Sequence, residues 1–200
     1  MHPLFKSDIG CNQSPDYLYR KAANMKRIPL LSLLVLCFMT FTKLTYAQDV
    51  EAKLKSMGIE LPVSSPPVAN YVNAVRTGNL VFMAGKGPKM PDGKYITGKV
   101  GRDLTVEEGY AAARRVAILQ LAALKAEIGD LDKVKRIVKV LGMVNCTEDF
   151  GNQPEVINGF SDFMVEVFGE KGKHARAAVG MYALPRNIAV EIEMIVEIEE

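Results

Sequence analysis

Residues 174–193, HARAAVGMYALPRNIAVEIE, decide how the rest of the chain is read. They set Arg176 at the start of one apolar strand, turn at Leu184-Pro185, and return into a strand in which apolar residues alternate with glutamates. Arg176 is flanked by Ala175, Ala177, Ala178 and Val179, which are too small and apolar to surround a guanidinium with counter-charge. A cation in such a place costs desolvation energy unless it meets an anion, and its planar fork fits a carboxylate bidentately. Two readings stand: the arginine receives the carboxylate of a small ligand, or it bonds the chain's own acids.

Working outward, the returning strand over 188–198 places Val190, Ile192, Met194, Val196 and Ile198 on one face and Glu191, Glu193 and Glu197 on the other. Upstream, residues 134–145 form a long apolar strand, with Val138, Val140 and Val144 on one face and Ile137, Leu141 and Met143 on the other. Apolar residues on both faces predict a central strand covered on both sides. Two helices precede and follow it. Thr105-Val106-Glu107-Glu108 is a capping box opening a helix to about Ile128, with Tyr110, Ala113, Ala117, Leu121, Leu124 and Ile128 as its buried stripe and Gly129 as its stop. The second runs over about 154–168, carries Val156, Phe160, Phe163 and Val167 on one side, and ends at Gly169.

Two further strands, over 71–76 and 80–84, flank the turn Thr77-Gly78-Asn79. The order is ββαβαββ, an α+β layer with both helices on one face of a mixed sheet. The opposite face needs cover, and self-association is the simplest way to supply it. A glycine-rich loop over 85–101 joins the hairpin to the first helix. Its Gly85-Lys86-Gly87 and Gly98-Lys99 do not fit the G-x-x-x-x-G-K-[ST] phosphate loop, so we read it as letting backbone amides near Gly85 face a ligand.

Composition, 48% hydrophobic and 24% charged over 200 residues, suits one modest globular domain, but the first 47 residues differ from the rest. Met25-Lys26-Arg27 is a basic n-region, residues 28–41 are an apolar h-region, and Thr45-Tyr46-Ala47 is a small-residue cleavage site. We read 25–47 as a secretory signal peptide, with 1–24 an upstream start-site artefact and the mature chain periplasmic or secreted. The alternative is an uncleaved anchor, against which the short apolar run counts. Leu36 before Cys37 is a poor lipobox residue. Residues 48–67 are a lead-in with a short helix and breaks at Pro62, Pro66 and Pro67, and the compact domain is expected over 68–200.

Six of the 25 basic residues (Lys6, Arg20, Lys21, Lys26, Arg27, Lys43) and two of the 23 acidic residues (Asp8, Asp16) lie in the first 47. The remainder carries 19 and 21, a formal charge of −2, so the whole-chain pI of 8.3 misleads and there is no electrostatic footprint for nucleic acid. The mature chain keeps one cysteine, Cys146, and one histidine, His174. These are too few for a zinc or iron site, and the reading carries no metal and no cofactor. His174, after Glu170-Lys171-Gly172-Lys173, reads as lying in an exposed loop; Cys146 reads as a small buried residue.

The segment ARAAVGMYALPRNIAVEIEMI resembles the closing signature of the RidA (YjgF) family, and Tyr71-Val72 with GNLVFMAG (78–85) resembles the opening hairpin of that family. The resemblance spans roughly 66–199. It implies a chorismate-mutase-like fold, a homotrimer whose ligand clefts lie between subunits, and hydrolysis of reactive enamine and 2-imino acid intermediates to 2-keto acids and ammonia. By the motif, Arg176 binds the substrate carboxylate, Glu191 places or activates water, Tyr71 lines the cleft and Gly85 supplies a backbone contact. The chemistry demands little, since positioning an already labile imine beside an oriented water supplies most of the acceleration. Ala178 stands where many deaminase-active members carry cysteine. A non-catalytic trimeric module binding small carboxylic acids is the alternative, and an exported chain would meet few of the intermediates shed by cytoplasmic pyridoxal-phosphate enzymes. After signal cleavage the reading includes no membrane partner.

Overall fold

Among the described residues, five strands build one mixed sheet in the order β1-β2-β5-β3-β4, comprising β1 (Ala74–Thr77), β2 (Leu80–Lys86), β3 (Val134–Asn145), β4 (Ala175–Met181) and β5 (Val190–Ile198). Only β3 and β4 run parallel; the remaining pairs are antiparallel. The structure, a computed structural model, describes residues 49–64 and 69–199. The signal-peptide reading of 25–47, the start-site reading of 1–24 and the breaks at Pro66 and Pro67 lie outside these residues.

Helices α1 (Val50–Ser56), α2 (Val106–Ile128) and α3 (Gln153–Phe168) follow from local chemistry. At the start of α2 the Thr105 hydroxyl accepts from the Glu108 amide, and the Glu108 carboxylate accepts from the Thr105 amide, so two otherwise orphaned donors are satisfied. Gly129, at φ 82°, closes the helix in a conformation that side chains resist. Proline in the first turn of α3 and Gly169 after its last set the bounds of that helix. In α1, Asp49 caps Ala52 N, and Val50 and Leu54 enter the core. Among the described residues no helix is long and apolar enough to cross a membrane.

Helices α2 and α3 lie together on one face of the sheet. They meet at glycines. A Cβ on Gly159 would stand 2.0 Å from the Tyr110 carbonyl oxygen of α2, and one on Gly109 would stand 3.1 Å from Val156 of α3. Close backbone approach explains why α3 tolerates a residue that disfavours helix by about 1 kcal/mol. Gly142 of β3 opens the same kind of space beneath Ile157, whose side chain would lie 2.6 Å from an added Cβ. Phe160, Phe163, Met164 and Val167 of α3 fill the resulting core against Ile192, Met194 and Val196.

The faces of β3 differ from expectation. Its register against β5 shifts between Val134 and Arg136 and again between Ile137 and Lys139, which breaks strict alternation. Ile137 therefore joins Val134, Val140 and Val144 in the core, while Leu141 and Met143 stay on the far face. The first strand is also shorter than read from sequence: Tyr71 and Val72 precede it, and both are exposed.

The far face of the sheet keeps an apolar row. Val75, Phe82 and Val179 are 56%, 42% and 38% exposed, and register sets Phe82 between Val75 and Ile195, and Met143 between Val179 and Glu191. The helix contact generates a test. Because the Tyr110 carbonyl is backbone and cannot rotate away, Gly159→Ala should lose about 1–3 kcal/mol despite its better helix propensity, read as the urea midpoint; unchanged or increased stability would mean that the helices are not held at this distance.

Candidate functional site

One row of paired residues crosses the helix side of the sheet: Ala74, Met83, Met194, Val140 and finally Arg176 on the edge strand β4. The first four are buried apolar residues, so Arg176 ends an apolar row at the point where the sheet runs out. Its half-buried guanidinium meets helix α3. Nη1 donates to Asn158 Oδ1 at 2.8 Å and to Ser161 Oγ at 3.0 Å. Both hydrogens of Nη1 are thereby used, and both acceptors are neutral. No carboxylate among the described residues pairs with Arg176, and its Nε and Nη2 have no partner among them. The open edge is Nε–Nη2, one of the two edges of a guanidinium that can hold both oxygens of a carboxylate.

Asn158 and Ser161 were not among the residues singled out from sequence. They sit three apart on α3, so they project to one side of the helix, and their polarity beside the Phe160 and Phe163 stripe is the local signal that could have found them. His174 corrects the exposed-loop reading. Its Nδ1 lies 2.7 Å from the Gly172 carbonyl, its Nε2 lies 3.0 Å from Ser161 Oγ, and its ring meets Phe160 edge-on with centroids 6.5 Å apart.

Glu191 and Gly85 are brought together on the far face. A Cβ at position 85 would stand 2.4 Å from Glu191 Oε1, so only glycine leaves the carboxylate where it is. The register of β2 against β5 shifts here, between Met83 and Lys86. Beneath that irregularity Gln120 of α2 donates through Nε2 to the carbonyls of Ala84 (2.9 Å) and Ile192 (2.7 Å), tying both strands to the helix. Burial first, then the neighbouring Glu193 carboxylate, hold the Glu191 pKa above the ordinary glutamate value. Tyr71 lies ahead of β1 with 54% of its surface exposed.

Arg176 and Glu191 do not meet within one chain. Val140, which pairs with Arg176, faces the helices; Met143, which pairs with Glu191, faces away. Paired residues share a face, so the two charged groups point to opposite sides of the sheet. The glycine-rich loop holds no free cation at Lys99. That ammonium donates to Asn145 Oδ1, to the Cys146 carbonyl and to the Tyr182 carbonyl, and it sits 5.0 Å from the Tyr182 ring centroid. With Asn145 Nδ2 donating to Asn187 Oδ1, it pins the turn after β4, where Arg186 and Asn187 both adopt φ 56°. Cys146 is buried, with Gln153 Nε2 3.7 Å from its sulfur.

The raised Glu191 pKa has a sign that can be tested. Folding favours the protonated form, so this stabilisation is complete below the unfolded value and is lost as pH rises through the folded one. Glu191→Gln should therefore gain stability relative to the parent at about pH 7 and gain less at about pH 4, measured by urea unfolding. An equal effect at both pH values would mean that the carboxylate is not desolvated.

Residues 51–198 match the family described as "YjgF/chorismate_mutase-like, putative endoribonuclease". The chain is 45% identical to Protein TCP17 of Trypanosoma cruzi over 150 residues, covering 74% of this chain and 94% of that protein. It is 29% identical to the 2-iminobutanoate/2-iminopropanoate deaminase of Dermatophagoides farinae, covering 70% and 95%. The crystal structure of Atu1372 from Agrobacterium tumefaciens superposes with a TM-score of 0.70 at 44% identity, covering 76% of this chain and 96% of that one. Sequence signature, chorismate-mutase-like architecture and these likenesses lead to one assignment: the chain belongs to the YjgF/RidA family.

Proposed function

We propose that this chain hydrolyses small, reactive 2-imino acids and their enamine tautomers to 2-keto acids and ammonia, in clefts formed where copies of a homotrimer meet, and that it works after export. The observation that carries the reading is the unspent Nε–Nη2 edge of Arg176, anchored by neutral groups and facing no acid of the described chain. A half-buried cation so arranged is stabilised by a ligand carboxylate more than by water, since both partners are drawn out of high dielectric together.

In this mechanism the carboxylate of the imino acid docks on that edge. Water held by the Glu191 carboxylate of another copy adds to the imine carbon; the carbon–nitrogen π bond opens, and the resulting carbinolamine loses ammonia to leave the keto acid. A carboxyl group whose pKa lies above the ordinary range is suited to receive the proton of the water and return it to the departing nitrogen. Gly85 gives the carboxylate room, and exposed Tyr71 is available as a cleft wall.

Two features support assembly into the trimer. Arg176 and Glu191 point to opposite faces, so a site using both needs a second chain. The far face of the sheet also leaves Val75, Phe82 and Val179 exposed, an apolar row that a second copy would cover. Export rests on the residue pattern of 25–47.

The test is ammonia release from freshly generated 2-iminobutanoate. Turnover should exceed the spontaneous rate, and Arg176→Ala should reduce kcat/KM by about 10- to 100-fold, the scale of one or two charge-assisted hydrogen bonds. Thermal stabilisation by 2-oxobutanoate without turnover would favour a carboxylate-binding module, and turnover unaffected by Arg176→Ala would contradict the mechanism.

A further inference from the structure

The structure ties Arg176 to the imidazole of His174 through Ser161. We propose that Ser161 and His174 are positioning residues: they grip Nη1 so that the Nε–Nη2 edge is held out for a carboxylate, and they couple carboxylate affinity to protonation of the ring. This inference rests on the carboxylate-binding role proposed for Arg176 and assigns two residues that the family motif does not use.

The direction of each hydrogen bond follows from what each atom can do. The Gly172 carbonyl only accepts, so at 2.7 Å it fixes the ring proton on His174 Nδ1. Nε2 of the neutral ring is then an acceptor, and the Ser161 hydroxyl 3.0 Å away donates to it. That leaves the lone pairs of Oγ for Arg176 Nη1, which donates at 3.0 Å. The relay runs from Arg176 to Ser161 to His174 to Gly172. It has one sense only while the ring is neutral.

Protonation reverses the middle link. An imidazolium Nε2 donates to Oγ, which already accepts from Nη1, so the hydroxyl hydrogen must turn toward a new acceptor. Asn158 Oδ1 is engaged by the same Nη1. A carboxylate on the open Nε–Nη2 edge lies across the guanidinium from Nη1, out of reach of the hydroxyl, and favours the imidazolium through charge alone, offsetting the Arg176 charge that disfavours it. Burial lowers the His174 pKa, the Gly172 carbonyl opposes this, and the Arg176 charge lowers it further, so an anion that offsets the Arg176 charge favours protonation of the ring.

Other charged groups around the ring are committed elsewhere. On α3, Asp162 accepts from Tyr110 and Glu166 pairs with Arg114 of α2. In the turn before β4, Glu170 pairs with Lys173 and Lys171 donates to the Val134 carbonyl. Lys139 of β3 is exposed and pairs with Ala175 across the strands. Arg176 is the cation that acts on His174.

Arginine side-chain NMR on the purified chain, combined with 2-oxobutanoate titration, tests the proposal. Arg176 should show separate Nη1 and Nη2 signals in the parent and in Ser161→Thr, and merged signals in Ser161→Ala, with 2-oxobutanoate affinity about fivefold weaker in the alanine variant. Affinity of the parent should tighten about 3- to 10-fold as pH falls from about 7.5 to about 6. His174→Gln retains a polar atom toward Ser161 but cannot titrate, so, made together with Glu191→Gln so that the carboxylate proposed beside the ligand cannot titrate either, its affinity should be flat over that range. Separate signals surviving in Ser161→Ala, a pH dependence surviving in that double variant, or no 2-oxobutanoate binding at any pH would overturn the proposal. Binding with this pH dependence but no ammonia release would defeat the hydrolase reading and leave the positioning role standing.

Discussion

A guanidinium at the end of a buried apolar row, with no carboxylate among the described residues paired to it, is the constraint around which this fold makes sense. Ala74, Met83, Met194 and Val140 carry the row across four strands to Arg176 on the edge strand. Such a charge is costly to desolvate, and Asn158 and Ser161 offset that cost through neutral acceptors while leaving the charge itself unspent. A carboxylate in their place would have paired the ion and closed the edge. Neutral anchoring fixes geometry and preserves electrostatic demand, the combination that a binding site for a small anion needs.

Sheet topology then dictates what one chain lacks. Because Arg176 and Glu191 project from opposite faces, the cation and the raised carboxylate can serve one reaction only across a junction between chains. The far face carries the carboxylate against Gly85 and an uncovered apolar row together, so the surface that would bury itself on assembly is also the surface that holds the carboxylate of the proposed reaction. In the proposed trimer, assembly and site formation are one event, and loss of one should carry loss of the other.

How much of this was legible in the chain depends on range. The capping box at Thr105 and Glu108, the stop at Gly129 and the alternation of β5 are local, and each appears as read. Arg176 stood out because four small apolar neighbours could not account for it. The faces of β3 were misread at Ile137 because a bulge costs one residue of alternation and leaves no mark in composition. Tyr71 reads from sequence as part of a strand that begins only at Ala74, since aromatic residues carry strand propensity whether or not a partner strand reaches them. Asn158, Ser161 and His174 were missed for another reason: helix, turn and strand meet there only after α3 folds back over β4, and the lysine-rich approach to His174 reads as solvent-facing. Polar residues three apart beside an aromatic stripe were the available sign.

The most direct measurement is a crystal structure of the protein soaked with 2-oxobutanoate. The carboxylate should sit bidentate on Nε and Nη2 of Arg176, with Nη1 still bound to Asn158 and Ser161 and Glu191 of a second copy beside the keto carbon. Arg176 paired instead with an acid of a neighbouring copy, its edge closed and the ligand elsewhere, would contradict the central claim.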